Sequence, residues 1–166
     1  MTTLTARPIS QAAFAAYGWL VEVPAKGGVP INGASSLRFD NLSELALDAE
    51  GGKPCLALFK ASARDPAGLW SELECHRQGT QTFVPLNGVR YLVMVALDEP
   101  GAARPNISTL AAFTVQGHQA VTLRPGTWHH GLLALTDGDF IVIERRAAKV
   151  DCDIFHLVEP VSIVLG

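Results

Sequence analysis

The residues able to do chemistry in this chain fall in two short segments. The first is Glu72-Leu-Glu-Cys-His-Arg-Gln-Gly-Thr-Gln81, followed by Pro85-Leu86-Asn87-Gly88; the second is Arg124-Pro-Gly-Thr-Trp-His-His130. Glu74 and His76 stand two residues apart, so a strand presents both on one face, a carboxylate beside an imidazole. Imidazole exchanges protons near neutral pH and is the commonest metal ligand, which puts His76 and His129 at the centre of any acid–base or metal chemistry. His130, the strand neighbour of His129, faces the opposite side unless the turn twists it inward. His118 and His156 lie outside these segments and read as structural or surface histidines. Trp128 reads as packing, and Glu144 as either a buried ion-pair partner or a catalytic carboxylate.

Segments so far apart converge only on a scaffold of returning strands. From residue 53 onward, short apolar runs recur at 55–59, 82–86, 89–97, 110–115, 120–123, 131–135, 140–144 and 154–158. Between them sit Asn87-Gly88, Pro100-Gly101, Gln116-Gly117, Pro125-Gly126 and Asp137-Gly138, residues that supply the dihedrals of tight turns. Short strands with regular turns predict a sandwich or barrel. Residues 69–76 have mixed periodicity, and a strand from Glu72 onward is the preferred reading. Ahead of the strands, Ser10 predicts the cap of a short helix over QAAFAAY, ended by Gly18 in a left-handed exit. With no internal repeat and no composition break, residues 1–166 read as one domain.

Hydrophobic residues make up 48% of the chain and charged residues 17%, a balance that excludes disorder and requires apolar surface to be buried in a core or shared with a partner. A net charge of -3 gives no basic face for nucleic acid. The longest apolar run, at 91–97, is far below the roughly 18 residues of a membrane helix, and MTTLTARPIS has no apolar export core. Three widely spaced cysteines without a Cys-x-x-Cys pair predict reduced thiols rather than a disulfide framework. These features together predict a cytoplasmic protein acting on a small molecule. The apolar tail at 161–165 adds the expectation of a homodimer, formed by pairing with a neighbouring subunit's sheet edge.

The two segments resemble the paired motifs of the cupin superfamily, a His-x-His with a Glu and a Gly downstream, then Pro-x-Gly-x-x-His. Glu74, His76, Gln81 and Gly88 occupy the first spacings, with Glu74 in place of the first His and Gln81 in place of Glu. Pro125, Gly126 and His129 approximate the second, with one residue fewer between Pro and Gly. The resemblance implies an all-β fold, a cupin-type antiparallel β-barrel (double-stranded β-helix), here with a short N-terminal helix. In such a barrel Glu74, His76, Gln81 and His129 would form a metal shell suited to manganese, nickel or zinc. More specifically, the chain is similar to ureidoglycolate lyases over nearly its whole length. The likeness runs through Ile31-Asn32, Arg38, Leu42, Glu72-Leu-Glu-Cys-His76, Gly79-Thr-Gln-Thr-Phe-Val-Pro85, Trp128-His-His130, Asp139-Phe140, Glu144-Arg145 and Asp151-Cys-Asp153. That family is associated with nickel.

The resemblance implies cleavage of ureidoglycolate into glyoxylate and urea, in the degradation of allantoin and purines. This elimination needs a base for the hydroxyl proton, an acid for the departing nitrogen and a cation for the carboxylate. The implied base is His129 or Glu74, with His76 positioning the reacting centre directly or through a metal. Arg38 and Lys60 are the candidates for the carboxylate, and Gln81 and His130 complete the substrate contacts. Two other classes fit the same residues. Glu74, His76 and His129 also make the two-His, one-carboxylate set of non-haem iron oxygenases, and a barrel without catalysis would serve as a sensor of a small organic acid.

Overall fold

The computed structural model describes residues 2–166, and in it all but the last residue of the longest apolar run, 91–97, falls in the strand Gly88–Ala96. Alternate residues of that strand enter two different cores. Tyr91, Val93 and Val95 pack with Phe14, Phe83, Phe113, Val121, Phe140 and Val142. Leu92, Met94 and Ala96 pack on the other side with Trp70, Leu73, Cys75, Trp128, Leu157 and Ile163. A strand buried on both faces has no polar alternation, which is why this stretch reads as a continuous apolar run. Each large side chain so buried contributes about 1.5–3 kcal/mol of transfer free energy.

Two sheets build these cores. In the first, the strands Ala111–Gly117, Thr2–Pro8, Asp153–Leu165, Trp70–Cys75, Trp128–His129 and Gly88–Ala96 follow one another, and Gly88–Ala96 pairs back onto Ala111–Gly117 to close a ring. The second sheet runs Gly18–Val21, Ala120–Leu123, Gln81–Pro85, Gly138–Arg146 and Lys53–Ala61. The result is an all-β, barrel-like architecture of the kind the sequence predicts. Among the described residues its ladders are antiparallel except for two: Thr2–Pro8 pairs in parallel with both of its neighbours. The barrel is therefore mixed rather than wholly antiparallel, because the first strand fills a gap between two strands that already run in its own direction.

The terminal segments depart from the sequence reading. Residues 161–165 do not reach for a neighbouring subunit; they pair with Thr2–Ala6 of the same chain. That strand, Asp153–Leu165, tolerates Pro160 because its register against Trp70–Cys75 shifts between His156 and Val161, where no ladder N–H is needed. The helix is only Gln11–Phe14, capped by the Ser10 side chain on Ala13 N as expected. Gly18 does not make a left-handed exit; it opens the next strand, where an added Cβ would lie 2.0 Å from Thr122 O. The segment around Glu72 is a strand already from Trp70. No helix among the described residues is long and apolar enough to cross a membrane.

Candidate active site

The site forms where the first sheet's strands Trp70–Cys75 and Trp128–His129 pair and the second sheet's Gln81 reaches His129. Trp128–His129 pairs with Trp70–Cys75 so that Trp128 faces Cys75 and His129 faces Glu74. Strand alternation sends Trp128 and Cys75 into one core and turns Glu74 and His129 to the other side. His76 follows at the strand end, its ring centroid 5.3 Å from that of His129. Gln81 enters from the second sheet as the register partner of Glu144. The Pro125-Gly126 turn ties the two segments together, since Gly126 N donates to His76 O at 2.7 Å. Gly126 has φ +85, in the left-handed region that glycine enters without steric cost.

His129 is 2% exposed and presents both ring nitrogens to oxygens. Nδ1 donates to Thr127 O at 3.2 Å, while Nε2 lies 3.0 Å from Gln81 Oε1 and 3.1 Å from Glu74 Oε1. An imidazolium, or a cation shared by the surrounding donors, satisfies this arrangement; a neutral ring leaves oxygens facing a lone pair. Gln81 is held in this orientation because its Nε2 donates to Glu144 Oε2 at 2.9 Å. The hydrogen bond from His129 does most to hold the Glu74 carboxyl below the usual carboxylate range; burial opposes it, and the charges of His129 and His76 reinforce it. Glu74 is therefore ionised at neutral pH.

These groups fit a divalent ion. One oxygen of Glu74 and one ring nitrogen each of His76 and His129 lie within 4.8 Å of one another, close enough for modest side-chain rotation to bring them to about 2.1 Å from one centre. His76 Nε2 is buried and has no hydrogen-bond partner, the condition of a lone pair awaiting a proton donor or a metal.

A family model described as ureidoglycolate lyase matches residues 1–164. A ureidoglycolate lyase of Burkholderia mallei is 38% identical over 87% of this chain and 84% of its own. That of Azotobacter vinelandii is 36% identical over 99% and 98%, and that of Pseudomonas syringae pv. tomato 32% over 99% and 96%. The chain belongs to the ureidoglycolate lyase family.

The family resemblance drawn from Glu72–His76, Gly79–Pro85 and Trp128–His130 thus holds, and these relatives lend no support to the oxygenase or sensor readings. The structure brings Glu74, His76, Gln81 and His129 together. His130 lies just past the strand Trp128–His129; its Nδ1 donates to Gly131 O at 2.8 Å and its ring meets Trp70 edge-on. Burial lowers its pKa. Trp128 is packing, as expected, with Nε1 on Asp98 Oδ1 at 2.9 Å. His118 and His156 are exposed.

Arg38 and Lys60 are not brought to the cluster. Arg38 sits exposed on the hairpin Val29–Ile31/Ser36–Arg38, paired with Asp40 at 2.8 Å. Lys60 pairs with Asp139, five register positions from the Cys55–Glu144 pair at the site end of the same ladder, or about 17 Å along the strands. The cations that do line the cavity of 340 Å³ beside His76 are Arg145, Arg146 and Lys149, with Glu144, Thr80 and Cys152. Reading by spacing missed Arg146 and Lys149. The one available signal was the alternation that brings Glu144 to the site end of its strand, which carries the following residues past the cavity rim.

Proposed function

We propose that this chain cleaves ureidoglycolate to glyoxylate and urea in the degradation of allantoin, at the cluster of Glu74, His76 and His129. The observation that carries the reading is the direct contact of ionised Glu74 with His129, next to His76, which lines a cavity shared with Arg145, Arg146 and Lys149, in a member of this family. The substrate carbon bears a hydroxyl, a carboxylate and a urea nitrogen. Glu74 accepts the hydroxyl proton as the carbon–nitrogen bond breaks and the carbonyl of glyoxylate forms. His129 gives a proton to the departing nitrogen and regains one from Glu74 across their 3.1 Å contact. One proton moves from oxygen to nitrogen overall, with no redox change. Gln81 holds His129 in line, the partnerless Nε2 of His76 positions the reacting centre directly or through a metal, and Arg146 and Lys149 draw in the carboxylate.

A divalent ion on Glu74, His76 and His129, of which nickel, manganese and zinc suit these ligands, would supply Lewis acidity at the hydroxyl oxygen. The partnerless Nε2 of His76 favours this form of the site. Cys55, Cys75 and Cys152 are unpaired, in keeping with a cytoplasmic enzyme. The second copy of the expected homodimer finds its candidate face at the edge strand Lys53–Ala61, where Leu56 and Leu58 are 70% and 64% exposed; a monomeric mass at micromolar concentration contradicts it.

The test is product analysis with purified protein and ureidoglycolate, before and after dialysis against a chelator. Glyoxylate and urea in equal amounts support the proposal, whereas ammonia in place of urea overturns it. Loss of turnover on dialysis, restored by one of the three ions, assigns the metal-dependent form; unchanged turnover assigns proton transfer by the side chains alone.

A further inference from the structure

We infer that Asp151 is a positioning residue of this site, fixing His76 in the tautomer that turns an unprotonated Nε2 toward Glu74 and His129. The inference deepens the reading of the site proposed above. Both carboxylate oxygens of Asp151 are engaged: Oδ1 accepts from Arg77 N at 2.8 Å and Oδ2 from Gln78 N at 2.7 Å. Those amides belong to the turn that begins where the strand Trp70–Cys75 has ended, and there the ladder no longer supplies acceptors. Anchored at both oxygens, Asp151 carries its own main-chain carbonyl to His76 Nδ1, 2.5 Å away. A carbonyl only accepts, so Nδ1 bears the proton of the neutral ring and Nε2 keeps its lone pair.

Nothing local dictates this arrangement, because Asp151 and His76 are 75 residues apart. The same segment supports the site at two further points. The Cys152 thiol, its pKa pushed up to about 11 by burial and then by the neighbouring carboxylate, faces Glu74 Oε2 at 3.8 Å. Asp153 takes Arg77 Nε at 2.9 Å. Only Asp151 touches an imidazole of the cluster. Partners of this kind fix ring orientation and are worth about 10–100-fold in activity or ligand affinity.

The test reads the tautomer directly, by long-range nitrogen–proton NMR correlation on ligand-free protein at alkaline pH. In the parent, His76 should show a protonated Nδ1 and an unprotonated Nε2. Asp151→Ala, which removes both acceptors, and Asp151→Asn, which keeps the volume and one acceptor, should convert His76 to a mixture containing the Nε2-protonated form. Asp153→Asn, a neighbouring change on the same segment, should leave the His76 signals in place. In kinetics, Asp151→Asn should lower kcat about tenfold or more with little change in KM.

A parent His76 protonated at Nε2 overturns the inference. So does an unchanged tautomer in the two Asp151 variants, or an equal disturbance by Asp153→Asn, which would make the effect one of general loop order. Absence of ureidoglycolate cleavage in the parent would remove the proposed reaction while the tautomer result still decides this point.

Discussion

His129 lies directly across the ladder from Glu74, with Nε2 and Oε1 3.1 Å apart. The contact is set by backbone register rather than by flexible side chains, so the pair is held at proton-transfer distance before any substrate arrives. Glu74→Gln keeps the shape and removes the acceptor. Turnover should fall by about a hundredfold or more, measured as glyoxylate release, with the folded signal in circular dichroism retained. Parent-like turnover would remove Glu74 from the reaction.

Glu144 acts through Gln81. Its carboxylate can only accept, and that fixes the amide of Gln81 with the oxygen toward His129. In Glu144→Gln the amide is free to flip and offer N–H to the same ring. A fall in kcat of about tenfold is expected, and the double variant with Gln81→Ala should lose little more than Gln81→Ala alone, because the two residues act as one unit. Fully additive losses would show that Glu144 has a separate role.

The cations at the rim make a sharp kinetic contrast. Arg146→Ala should raise KM for ureidoglycolate several-fold with a smaller effect on kcat, since a carboxylate clamp binds substrate and transition state about equally. Arg38→Ala and Lys60→Ala, placed away from the cavity, should leave both constants near those of the parent. A raised KM in Arg38→Ala and a normal one in Arg146→Ala would reverse the assignment.

Most strands of the barrel from residue 53 onward and half of the site were legible in the sequence for physical reasons. Apolar runs between turn residues announced the strands, and the two-residue spacing of Glu74 and His76 placed both on one face. Cross-strand register was not legible: no periodicity says that His129 lands opposite Glu74, or that Lys60 lands at the far end of a ladder whose near end holds Glu144. Strand Thr2–Pro8 was missed because its threonines and single buried Ala6 give only a weak alternation, and its parallel pairing depends on the distant strand Asp153–Leu165. Gly18 was misread because close approach to Thr122 O, a tertiary fact, requires the same residue as a helix exit. The grip of Asp151 on the turn at 76–78 closes over 75 residues of intervening chain, beyond the range of any local signal.

The central claim is that the imidazoles of His76 and His129, joined by the fold at 5.3 Å between ring centres, carry the reaction. Its most direct test is the initial rate of glyoxylate release from ureidoglycolate by His76→Asn and His129→Asn, each verified as folded, with exposed His156→Asn as the comparison. The account predicts a loss of about a hundredfold or more in each of the first two and most of the parent rate in the third. Parent-like rates in either His76→Asn or His129→Asn would contradict it.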